Sequence, residues 1–155
     1  MAENAVDSPH FKFLHNHLII PTAEIKEVGR ELFVKQYCKV KRMGITFLTS
    51  IDINLKEPGF GVLRFSHLGS KMLMITSTVA VDDNYIDQNF TFIMKKNLFP
   101  PWTWLLKKLV VGDIIRTFLE DRPIWENKKY LTKPILCDGD GPIIKIRRWH
   151  SQFYN

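Results

Sequence analysis

The hydrophobic period of this chain changes near residue 100, and that change limits the fold more than any single motif. From about residue 33 to 96, apolar residues recur at every second position. Ile51, Ile53 and Leu55 alternate with Asp52 and Asn54, and Phe90, Phe92 and Met94 are separated by Thr91 and Ile93. A period of two places such residues on one side of a strand. Leu63-Arg64-Phe65 and Met72 to Val81 are further strand candidates, rich in the Val, Ile, Thr and Phe that strands favour. Turn residues separate them at Arg42-Met43-Gly44, Glu57-Pro58-Gly59, His67-Leu68-Gly69-Ser70 and Asp82-Asp83-Asn84. Strands joined by turns this short pair antiparallel.

From Pro101 the period becomes helical. Trp102, Leu105, Leu106 and Leu109 follow the i, i+3, i+4, i+7 rule, and Ile114 and Phe118 extend it. Pro123 is expected to kink or end this helix near residue 122. A loop with Lys133-Pro134 and Asp138-Gly139-Asp140-Gly141-Pro142 follows, and a last short helix is expected through Ile143, Ile146, Trp149 and Phe153. Ahead of the strands, residues 3–18 read as a helical start, with Pro9 near a first helical position and Pro21 closing the segment. Strands followed by helices predict one α+β domain over 1–155, with helices on one face of an antiparallel sheet. A chain of 155 residues suffices for one such core.

Composition excludes several classes. With 45% hydrophobic and 25% charged residues the chain is neither disordered nor of low complexity. Its most apolar run, Leu98 to Ile115, is broken by Pro100, Pro101, Lys107, Lys108 and Asp113, so no membrane span is expected. The first ten residues have neither the basic nor the apolar region of a signal peptide. Two cysteines, Cys38 and Cys137, exclude a disulfide scaffold and any all-cysteine zinc or iron–sulfur site in these residues. They suit a reducing, intracellular compartment. The net charge of +6 suits an anionic partner, or surplus solvated lysines. The basic residues are scattered, so nucleic acid is not an expected partner. Pro101-Trp102-Thr103-Trp104 with Lys107 and Lys108 fits either a peripheral membrane contact or a core helix with snorkelling lysines.

The stretch richest in chemistry is Asp7-Ser8-Pro9-His10-Phe11-Lys12-Phe13-Leu14-His15. Two imidazoles, with a carboxylate three residues before the first, make a metal-ligand pattern. Two His and one carboxylate on one face of an octahedron form the facial triad of non-haem Fe(II), which leaves positions open for O₂. A separation of five residues does not put both rings on one stripe of a straight helix. The second His must then sit where the helix frays or widens; otherwise these are satisfied core histidines. His17 is an unattached third candidate. Asp121 falls seven residues after Ile114 and three after Phe118, on the stripe expected to face the core. A buried carboxylate is costly unless paired or metal-bound. Asp121 therefore ligates a metal, pairs with Arg116, Arg122 or Lys128, or is simply exposed at the helix end, and pattern alone does not separate these. Glu120, its neighbour, is expected to point elsewhere. Gly59-Phe60-Gly61 lacks the third glycine of a dinucleotide loop, and Asp138-Gly139-Asp140-Gly141 lacks the closing Glu of a calcium loop.

Two patterns together resemble a known family. Glu3-Asn4-x-x-Asp7-x-x-His10-Phe11-x-x-x-His15 is similar to the mononuclear-iron motif of Rieske-type oxygenases. Near the other end stand Asp121-x-x-Ile124-Trp125-x-x-Lys128, Asp140-Gly141-Pro142 and Arg147-Arg148-Trp149-x-x-Gln152-Phe153-Tyr154. The combination resembles the sterol branch, which contains cholesterol 7-desaturases and the oxygenase component of 3-ketosteroid 9α-hydroxylase.

The resemblance implies that His10, His15 and Asp121 bind Fe(II). It implies that Asp7 is a bridging carboxylate, passing electrons from a neighbouring subunit's Rieske cluster, and that Asn4 lies near the iron. It implies a helix-grip (START/Bet v 1-like) catalytic domain, with a sheet wrapped around a long helix and an apolar tunnel for a sterol. Partners implied are O₂, an electron-donating Rieske domain or reductase drawing on NAD(P)H, and a homotrimer; full-length relatives are often membrane-associated. A [2Fe–2S] Rieske cluster needs C-x-H and C-x-x-H pairs, and neither cysteine here stands in one. The cluster is expected from a domain or partner outside these residues, and the polypeptide alone is expected to be inactive. The alternative of another class is a non-catalytic sterol- or lipid-binding module on the same fold.

Overall fold

The computed structural model describes residues 2–15, 17–42, 44–67, 70–95, 100–137 and 140–154. It is an α+β structure built on one six-stranded antiparallel sheet. The strands are β1 (Thr22–Val28), β2 (Glu31–Arg42), β3 (Ile45–Glu57), β4 (Phe60–His67), β5 (Ser70–Ala80) and β6 (Ile86–Met94). They lie side by side in chain order. The helices are α1 (Ser8–Phe13), α2 (Pro100–Asn127) and α3 (Ile143–Ser151), preceded by a 3₁₀ turn at Ala2–Ala5. Among the described residues, no helix is long and apolar enough to cross a membrane.

The alternating sequence explains the register. Ile25, Val34, Ile53, Leu63, Met74 and Phe92 stand opposite one another across all six strands. A second row joins Gln36, Ile51, Phe65, Met72 and Met94. A slip of one residue would turn both rows to the other face, so burial fixes the pairing. On that other face Glu24, Lys35, Asp52 and Arg64 stand in a row of alternating charge, an arrangement that favours the same register.

Helix α3 and the N-terminal turn cover the β1–β3 end of the apolar face. Val6, Leu32, Val34, Ile53, Ile146 and Trp149 form the buried cluster there. Trp149 Nε1 donates to the carbonyl of Arg30 at 2.9 Å, and Gln36 Nε2 to that of Ala5 at 2.8 Å. Gly141 enters α3 with φ +67°, and a Cβ there would stand 2.6 Å from the Val6 carbonyl oxygen. Only glycine allows this approach. Helix α2 meets the same face at β6, where Phe118 stacks on Phe90 with centroids 4.3 Å apart.

Four expectations need correction. The N-terminal helix read over 3–18 is a 3₁₀ turn and a six-residue helix, parted at Asp7. Strand β1 lies ahead of the region read as strand; only Ala23 and Ile25 in it pack on the core, so its pattern is mostly polar. Of the kink or end expected at Pro123, the end does not occur, since α2 runs on to Asn127. Pro123 has no N–H for the Leu119 carbonyl, and the Asn127 side chain donates to the Pro123 carbonyl at 2.8 Å. Finally, Leu105 and Leu109 are exposed, and the inward side of α2 carries Val110, Ile114, Phe118 and Asp121. So many α2 positions are apolar that the period alone leaves the buried side open. Met43, Leu68, Gly69, Asp138 and Gly139, from three of the turns read above, lie outside the described residues, as do the side chains of Trp102, Leu106 and Cys38.

Glu3 ties the chain's two ends together, accepting from Arg147 Nε at 2.6 Å and pairing with Lys128 Nζ at 2.7 Å. Burial raises its pKa, but Lys128 and Arg147 outweigh burial and hold it below the usual carboxylate value. Such a group stabilises the fold above its unfolded pKa, and that contribution is lost as pH falls through the folded pKa. Glu3→Gln is expected to cost about 1–2 kcal/mol at pH 7 in urea denaturation. The gap to wild type should begin to close below roughly pH 4.3 and vanish at lower pH.

Candidate metal centre

His10 sits in the last turns of α1, and His15 lies just beyond its end. The helix stops at Phe13, where the Leu14 N–H closes on the His10 carbonyl at 2.8 Å. The chain then leaves the helical path, and the His17 N–H donates to the Phe11 carbonyl at 3.0 Å. This departure solves the five-residue spacing: the His10 and His15 rings meet edge to face, centroids 5.2 Å apart. Asp121 comes from the inward side of α2 and is only 4% exposed. One ligand atom from each of His10, His15 and Asp121 lies within 4.8 Å of the others.

The hydrogen bonds around the rings decide which nitrogens are free. His10 Nδ1 lies against the backbone carbonyl of Asp7. A carbonyl only accepts, so Nδ1 carries the proton and the neutral ring keeps its lone pair on Nε2. Burial lowers the His10 pKa, against the Asp7 carbonyl and the Asp121 charge, and favours that neutral ring. His15 Nδ1 lies 2.9 Å from Glu120 Oε2, and its Nε2 lies 3.2 Å from Asp121 Oδ1. Burial lowers the His15 pKa, but the two carboxylates outweigh it and the pKa ends raised.

The donor set fits a metal ion. Despite their short separation, His15 Nε2 and Asp121 Oδ1 lack hydrogen-bond geometry, and both are buried without a hydrogen-bond partner. The basic residues weighed for Asp121 are engaged elsewhere. Arg116 meets Asp113 and Glu120, Arg122 meets Glu126 at 2.6 Å, and Lys128 meets Glu3. Two imidazoles and a carboxylate converging with no lysine or arginine among them, in the described residues, match a facial triad.

The other candidates are placed less directly. Asp7 stands just before α1 and touches His10 through its carbonyl, not its carboxylate. Asn4 is half-buried on the 3₁₀ turn, and His17 packs on Phe11 at 5.4 Å; neither joins the three ligand atoms. Glu120, expected to point elsewhere, instead reaches the far nitrogen of His15. Its helical spacing from Arg116 was the available signal.

Residues 1–154 match the family described as 3-Ketosteroid 9alpha-hydroxylase C-terminal domain. The chain belongs to that family. It is 25% identical over 167 residues to the 3-ketosteroid-9-alpha-monooxygenase oxygenase component of Rhodococcus rhodochrous, covering 98% of this chain and 43% of that protein. It is 28% identical over 181 residues to cholesterol 7-desaturase nvd of Xenopus laevis, covering 99% of this chain and 39% of that protein. The structure of Pseudomonas putida CBB5 NdmB shares the fold with a TM-score of 0.63 and 23% identity, over 96% of this chain and 44% of that one. The chain thus spans less than half the length of each. Its relatives are Rieske-type sterol oxygenases and desaturases, and the match is to their C-terminal catalytic part. Iron is general to this family.

Anaerobic loading with Fe(II) should leave close to one iron for each wild-type chain by elemental analysis. His10→Ala, His15→Ala and Asp121→Ala should each lose it while keeping the wild-type circular dichroism. Glu24→Ala, on the opposite sheet face, should load normally.

Proposed function

We propose that these residues form the mononuclear iron domain of an O₂-dependent sterol oxygenase or desaturase. The observation that supports it best is the convergence of His10, His15 and Asp121, the buried carboxylate having no lysine or arginine paired with it among the described residues. In this reading the three residues hold Fe(II), which supplies the redox centre where dioxygen is reduced. The Asp7 carbonyl orients His10, and burial of the cluster keeps its imidazole neutral and able to ligate. The Asp7 carboxylate is the bridging group for electrons arriving from a neighbouring subunit's Rieske cluster, and Asn4 lies close to the iron. The cluster itself, fed by NAD(P)H through a reductase, is carried outside these 155 residues, which hold no C-x-H or C-x-x-H pair.

The same reading makes 1–155 one catalytic domain in which the sheet grips α2. The apolar rows ending at Met72, Met74, Phe92 and Met94 suit a flat sterol, which binds through apolar burial and one or two polar anchors. Subunits assemble as a homotrimer. Trp104, 60% exposed with Lys108 Nζ 4.7 Å over its ring, is the point of peripheral membrane contact.

With Fe(II), O₂ and a separate Rieske donor and reductase, the protein should convert a 3-ketosteroid or cholesterol into a hydroxylated or desaturated product, detected by mass spectrometry. His10→Ala and Asp121→Ala should reduce product to background but still bind sterol. Sustained NAD(P)H-dependent turnover by these 155 residues with no Rieske donor would contradict the reading. Sterol binding with no turnover under any electron supply would favour a non-catalytic lipid-binding module.

A further inference from the structure

Glu120 stands next to Asp121 on α2 but meets the opposite nitrogen of the same imidazole. The His15 side chain is 3% exposed and that of Glu120 37%, so the 2.9 Å bond from Nδ1 to Oε2 runs outward from a buried ring. A carboxylate accepts, so Nδ1 carries the proton. In the neutral ring the lone pair then sits on Nε2, the atom 3.2 Å from Asp121 Oδ1. The other Glu120 oxygen is held from behind: Arg116 Nε lies 3.5 Å from Oε1, and Arg116 Nη2 lies 3.4 Å from Asp113 Oδ1. Asp113, Arg116 and Glu120 thus line one side of α2 at helical spacing.

The two imidazoles are therefore fixed by different means. The Nδ1–H of His10 is held by a backbone carbonyl, that of His15 by a side chain. A simple surface pair between Glu120 and Arg116 would contribute little, and its loss would not be felt at the metal.

We infer that Glu120 is a positioning residue for the metal centre: by accepting from His15 Nδ1 it sets the tautomer and ring orientation that turn Nε2 toward Asp121. The inference rests on the reading of His10, His15 and Asp121 as metal ligands. Outer hydrogen bonds of this kind change metal affinity by roughly 10–100-fold.

Anaerobic titration with Co(II), followed by its visible d–d absorption, tests this. Glu120→Ala should weaken binding by roughly 10–100-fold and shift the d–d bands. Glu120→Gln, whose amide oxygen still accepts from Nδ1–H, should recover affinity to within about threefold of wild type and restore the spectrum. Metal-free melting of the three proteins shows whether the fold is kept. An alanine variant that binds like wild type with the same spectrum overturns the inference alone. A glutamine variant as weak as alanine also overturns it, because charge and not orientation would then be what Glu120 supplies. No Co(II) uptake by folded wild type overturns the metal centre itself, and this inference with it.

Discussion

Asp121 is buried inside the fold with no lysine or arginine beside it among the described residues, and the neighbouring groups are arranged around that charge. In a low-dielectric interior an isolated carboxylate is expensive. The bases nearest in sequence do not relieve it, because Arg116, Arg122 and Lys128 are each held by other acids. What faces Asp121 is imidazole. His15 responds with a raised pKa, while burial keeps His10 lowered. The pair is thus electrostatically unequal, and a divalent cation would satisfy both rings and the carboxylate at once.

The scaffold makes this convergence possible without help from local helix strength. A six-residue helix such as α1 is too short to stand alone. Its position is set by the segment before it, where Val6 is buried under α3, the Ala5 carbonyl accepts from Gln36, and Glu3 is clamped by Arg147 and Lys128. Lys128 follows α2 directly. One carboxylate therefore links the segment leading to the imidazoles, the end of the helix bearing Asp121, and α3. The sheet contributes by geometry: its largely apolar face holds α3 at one end and meets Phe118 of α2 at the other.

Much of this was legible in the sequence. The alternation at Ile51–Leu55 and Phe90–Met94 identified central and edge strands, and short turns implied their antiparallel order. The final helix followed from Ile143, Ile146 and Trp149. Strand β1 was hidden because an edge strand needs few inward apolar residues, and here only Ala23 and Ile25 serve. On α2 the inward stripe of Ile114, Phe118 and Asp121 was legible, but Leu105 and Leu109 are exposed, because leucines, valines and isoleucines surround much of the helix. At the site, His10, His15 and Asp121 were legible from pattern, and the five-residue spacing already required the helix to fray before His15; α1 does end at Phe13. Glu120 was missed: a neighbour of an inward residue normally points away, but a ring standing between the two can be reached from both.

The most direct test of the account is the anaerobic crystal structure of the Fe(II)-loaded protein, with anomalous scattering at the iron edge. The account predicts a single iron peak bound by Nε2 of His10, Nε2 of His15 and the carboxylate of Asp121, with Glu120 still on His15 Nδ1. An iron bound elsewhere, or well-ordered density in which His15 and Asp121 pair directly with no metal between them, would contradict it.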